Sequence, residues 1–121
     1  MNMELGHGPY QDGKNWLDWG RDADDYFAHG NYERALECYD IAIQLGWHEP
    51  GTAMRDVEIC FQRAKCLFYL GRFQQALLSI DAVIEEYEYI SVSGMCKELL
   101  DEAKEYRKRI LENMKRSGNG L

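Results

Sequence analysis

An all-α fold built from paired helices is predicted for this 121-residue chain by three observations. Apolar residues recur at three- and four-residue spacing along several segments, strand-like alternation is nowhere sustained, and the stretch from Trp19 to Leu45 recurs further on, from Cys60 to Glu86. Glycines and a proline punctuate the helical segments.

The first helix is expected to start near Asn15 and to run through Trp16, Trp19, Ala23, Tyr26 and Phe27. Gly30 closes it, a residue suited to the left-handed conformation of a C-terminal cap. Asn31 is the N-cap candidate of a second helix carrying Tyr32, Ala35, Leu36, Tyr39, Ala42, Ile43 and Leu45, ended by Gly46. After Trp47, His48, Glu49, Pro50 and Gly51, a third helix begins around Thr52 and continues through Val57, Phe61, Ala64, Leu67 and Phe68 to Gly71. A fourth spans Phe73 to Tyr87. The fifth, from Ser93 to about Met114, carries the apolar stripe Met95, Leu99, Ala103, Tyr106 and Ile110 among charged residues. Residues 1–14 and 117–121 are expected to be flexible segments around one domain at 15–116.

With 45% apolar residues, 12% aromatics and two prolines, the composition is that of an ordered globular chain. The formal net charge of −7 argues against nucleic acid or anionic lipid as partner. That charge is uneven. Residues 1–49 hold ten acids against three bases, whereas residues 91–121 hold five against seven. The basic cluster Lys104, Arg107, Lys108, Arg109, Lys115 and Arg116 suits the C-terminal macrodipole of a helix, and Glu105 and Glu112 interrupt it. No segment reaches the roughly 20 apolar residues of a membrane span, and the opening residues lack the pattern of a signal peptide. A cytoplasmic setting is expected, in which Cys38, Cys60, Cys66 and Cys96 are thiols.

Chemistry-bearing motifs do not emerge. His7, His29 and His48 are scattered and the cysteines have no zinc-ligand spacing, so neither a metal nor another cofactor is expected. There is no GxSxG elbow, no GxxxxGK loop and no HExxH, and the paired acids Asp24/Asp25 and Glu85/Glu86 are adjacent on helices and diverge. The chain is therefore expected not to be an enzyme. Trp47, in the linker, is either a second contact site or a lid on its own core, and its size favours the lid.

The repeat carries most of the information. With Trp19 laid over Cys60 and Leu45 over Glu86, identities fall at Ala23/Ala64, Phe27/Phe68, Gly30/Gly71, Ala35/Ala76, Leu36/Leu77, Asp40/Asp81 and Ile43/Ile84. The small alanines let helices approach closely and the glycines allow a tight turn, so each copy reads as one helical hairpin. In these residues the chain resembles the tetratricopeptide-repeat family, whose pattern is W-x2-L-G-x2-Y, then A-x3-F, then P. Trp19, Ala23, Tyr26, Gly30, Tyr32, Ala35, Tyr39 and Ala42 fit the first repeat, with Asp22 in place of Leu. Ala64, Leu67, Gly71, Phe73, Ala76, Ile80 and Val83 fit the second, with Cys60 in place of Trp and Arg63 in place of Leu.

The resemblance implies two hairpins, at about 15–46 and 52–87, a capping helix at about 93–114, and together a short right-handed α-solenoid. It further implies a module, adaptor or chaperone-like, that binds a peptide or helix of a partner protein in a concave groove. Carried over by position, the groove is lined by Gly20, Asp24, Phe27 and Ala28, and by Phe61, Lys65, Phe68 and Tyr69. Of these, Asp24, Phe27, Phe61, Lys65, Phe68 and Tyr69 are the candidate ligand-binding residues. Gly20 and Asp24 stand where carboxylate-clamping relatives place Lys and Asn, which argues against capture of a C-terminal carboxylate. The alternative function is structural self-assembly into a homo-oligomer, through the helix-array ends and the cap.

Overall fold

The computed structural model describes residues 14–46, 53–90 and 96–117. Expectations for residues 1–13, for the linker at 47–51, for the helix start at Ser93 and for the tail from 118 onward lie outside the described residues. Five helices follow one another: α1 Trp16–Ala28, α2 Tyr32–Gly46, α3 Ala53–Tyr69, α4 Phe73–Ile90 and α5 Lys97–Arg116. Among the described residues there is no strand, so the fold is all-α. The chain divides into two compact units, Met1–Ile59 and Cys60–Leu121, and the division falls inside α3.

In the first unit, α1 begins at a capping box. The Asn15 side chain accepts from the Asp18 amide at 3.0 Å, and Asp18 accepts from the Asn15 amide at 3.1 Å. Helices α1 and α2 pack as an antiparallel pair around Trp16, Ala23, Ala35, Leu36, Tyr39 and Ala42. Gly46, the last residue of α2, lies under the Trp16 ring: an added Cβ would meet indole atoms at 2.9–3.1 Å. Its role is therefore close packing, beyond the helix-ending role its type suggests.

In the second unit the later part of α3, from Cys60 to Tyr69, meets α4 and α5. Arg63 donates to the Ser79 hydroxyl at 3.0 Å, while Phe61, Ala64, Leu67, Ala76, Ile80, Val83, Tyr87, Ala103 and Ile110 make the core. Helix α5 starts at Lys97, and Cys96 before it is left-handed at φ 67°. A β-carbon there is unusual, and nothing in a cysteine advertises such a start.

Both turns that follow a hairpin's first helix are built alike. Gly30 and Gly71 adopt φ 78° and 79°, and in each an added Cβ meets open space, so backbone conformation alone calls for glycine. The amide of Gly30 donates to Phe27 O at 3.0 Å, as Gly71 does to Phe68 O at 3.0 Å. Asn31 donates to Tyr26 O at 2.9 Å, as Arg72 does to Leu67 O at 2.9 Å. These bonds satisfy carbonyls that a helix end would leave bare.

Candidate functional site

The candidate residues of the first unit are tied up internally. Asp24 accepts a hydrogen bond from the Tyr39 hydroxyl and lies 3.6 Å from Arg55, which also reaches Glu58 at 3.0 Å. Asp24 is thus paired with Tyr39 and Arg55 of its own unit, and 43% of its side chain stays exposed. Phe27 is half-buried, edge-on to Tyr32 with ring centroids 5.3 Å apart. Gly20 allows the approach of α3, since a Cβ there would meet Arg55 and Ile59 side-chain ends at 3.2 and 3.3 Å.

In the second unit α5 covers the α3 face. Phe61 is only 2% exposed and sits edge-on to Tyr87 at 6.1 Å and to Tyr106 at 5.9 Å. Phe68 is buried between Tyr69, Phe73 and Tyr106, with Arg109 stacked 4.9 Å from its centroid. The expectation that these two rings wall an open groove is corrected, because α5 supplies Tyr106 to fill the space over them. Their burial belongs to the core.

Lys65 is mostly covered. Its ammonium lies 4.3 Å from the Phe61 centroid and 5.3 Å from that of Tyr106, and bonds Glu102 at 3.1 Å, leaving 13% of the side chain exposed. Tyr69 remains exposed, and its hydroxyl shares a 2.9 Å hydrogen bond with that of Tyr106. Burial first, and then that bond, push the Tyr106 phenol up to about 12, while Arg109 pulls the other way. Arg109 lies over Phe68 and Tyr106, each at 4.9 Å, and among the described residues no carboxylate pairs with it. The part of this face that is not buried is thus Tyr69, Tyr106, Arg109 and a small fraction of Lys65.

Tyr106, Arg109 and Glu102 were not singled out as site residues from sequence. The one available signal was the position of Tyr106 on the apolar stripe of the fifth helix.

Of the cysteines, Cys38 and Cys66 are buried and none is in a disulfide; burial pushes the Cys38 thiol up, which keeps it protonated and unreactive. No grouping of metal-ligating side chains occurs among the described residues. Among them, too, no helix is long and apolar enough to cross a membrane. No family model matches the chain, and neither a curated protein nor a solved structure does.

Proposed function

We propose that this chain is a tetratricopeptide-repeat-like interaction module that acts by binding a segment of another protein, not by catalysis. The observation that supports this most directly is the doubled turn: Gly30 and Gly71, at equivalent positions of the sequence repeat, share their φ and their hydrogen-bonding pattern. A hairpin unit made twice by one chain is the building principle of helical-repeat proteins, whose use is to present extended faces to partners. A cytoplasmic setting and a capping role for α5 belong to the same reading.

The binding face is drawn more narrowly than the sequence resemblance implies. In the second unit it consists of Tyr69, Tyr106, Arg109 and Lys65, an aromatic surface with one guanidinium that no internal carboxylate among the described residues neutralises. Such a face suits a peptide that brings an apolar side chain and a carboxylate. Affinity capture with the full chain tests this. Partners recovered with the native protein should be lost on both Tyr69→Ala and Arg109→Glu, with helicity retained by circular dichroism. An unchanged set of partners in both variants overturns the reading.

A further inference from the structure

The outer face of α4 differs from that of α2 in a way the hairpin does not need. On α2 the solvent-facing positions Glu33, Glu37, Asp40 and Gln44 are all polar and exposed. Their counterparts in the second repeat are Gln74, Leu78, Asp81 and Glu85. Leu78, where α2 has Glu37, is 74% exposed, and Tyr89 further along α4 is 79% exposed. Spacings of four, three and four residues place Leu78, Ala82, Glu85 and Tyr89 on one side of the helix. Ala82 is exposed as well, so the stripe is continuous.

The charges around it are unequal. On the side towards α5, Asp81 is neutralised by Arg107 at 2.6 Å and Glu88 by Lys104 at 3.8 Å. Glu85, within the stripe, and Glu86, on its far side, form no ion pair among the described residues. A solvent-facing apolar stripe with uncompensated carboxylates calls for an occupant that brings apolar side chains and cations together. A second copy fits poorly. A twofold axis through the stripe lies between Leu78 and Tyr89 and would bring Glu85 close to its own mate, like charge against like.

We propose that the outer face of α4, Leu78, Ala82 and Tyr89 with Glu85 and Glu86, docks a basic amphipathic helix of another protein. This surface is separate from the face of Tyr69 and Arg109 and does not depend on it. Leu78 and Tyr89 supply the apolar contacts, and the two glutamates set register and exclude acidic competitors.

The test is a heteronuclear NMR titration of the full chain with two model peptides, each an amphipathic helix of about 18 residues, or about 27 Å. One has a leucine stripe flanked by lysines and the other the same stripe flanked by glutamates. Amide shifts are expected along residues 78–89 with the lysine peptide only. Leu78→Glu, which restores the residue type found on α2, should weaken that binding at least about tenfold while leaving the helical content intact. Glu85→Lys combined with Glu86→Lys should transfer preference to the glutamate peptide. Arg109→Glu should leave the titration unchanged, which separates this surface from the other.

Equal binding of both peptides, shifts mapping to another face, or no shifts at millimolar peptide overturns the proposal. So does a native dimer that Leu78→Glu turns into a monomer, because the stripe then belongs to a second copy.

Discussion

The two copies of the sequence repeat place their bulky residues at opposite ends of the register. In the first, the large side chain at the start of the hairpin, Trp16, closes over a glycine, Gly46, at its end. Their counterparts in the register of the repeat are Val57 and Tyr87, so the large residue has moved to the second helix. Likewise Gly20 in α1 corresponds to Phe61 in α3, and Asp24 to Lys65. Asp24 is answered within its own hairpin by the Tyr39 hydroxyl, whereas the residue matching Tyr39 is the apolar Ile80, and Lys65 turns to Glu102 of α5. A repeat thus conserves turns and small contact residues while the filling between them is exchanged in compensating sets.

Phe61→Ala should break this comparison most severely. The ring is buried between Tyr87 and Tyr106, and its loss leaves a cavity worth about 3–5 kcal/mol. Chemical denaturation should show that drop, and with it a loss of the Lys65 ammonium's aromatic seat. A cost under about 1 kcal/mol would mean that α5 does not hold this ring and that the α3 face is open.

Much of this architecture is visible in the sequence. Helix order, the start of the first helix near Asn15, both glycine turns and the repeat can all be read there, because helix starts and turns are local and periodicity reports a buried stripe. Helix ends are less legible: α4 runs on to Ile90, past Tyr87. The fate of Phe61 and Phe68 is the instructive case. Periodicity states that they lie on an apolar face, but whether that face meets solvent or another helix depends on Tyr106, two helices further along the chain. Leu78 and Tyr89 are hidden for the opposite reason, since an exposed apolar residue has the same letter as a buried one.

A second test concerns the first unit's exchange of bulk. Gly46→Ala places a Cβ 2.9 Å from the Trp16 ring, which is rigid, and should cost about 1–3 kcal/mol. Any gain in helix propensity, about 1 kcal/mol at most, is smaller. In a Trp16→Val background, which copies Val57, the same substitution should be neutral or stabilising. The resulting double-mutant coupling should be on the order of 1–2 kcal/mol by denaturation; simple additivity would show that the two positions are not a matched pair.

Alkaline titration sharpens the contrast between the two polar arrangements. The Tyr106 phenol, at about 12, holds its proton longer in the folded chain than in the unfolded one, where it ionises near its ordinary value of 10.0. The stability it contributes is complete below pH 10 and is lost as the pH rises through 12. Tyr69→Phe removes the hydroxyl partner and should bring Tyr106 down towards 10, though not to it, because burial is the larger cause. Ring 13C shifts followed against pH report this directly. An unmoved Tyr106 would show that the hydroxyl pair is not formed in solution.

The smallest effect tests how loosely the first unit is filled where the second holds Phe61. At Gly20 a new Cβ would lie 3.2 Å from Arg55 Nη2 and 3.3 Å from Ile59 Cδ1, both ends of flexible side chains. The Arg55–Asp24 pair that must adjust is partly exposed and contributes little. Against that small cost stands the gain of about 1 kcal/mol for alanine over glycine inside a helix. Gly20→Ala should therefore stabilise slightly, raising Tm by about 2–4 °C. A fall in Tm of that size would instead mean that α1 and α3 meet as tightly at Gly20 as Trp16 and Gly46 do. The first unit would then have no slack at the position where the second accommodates a phenyl ring.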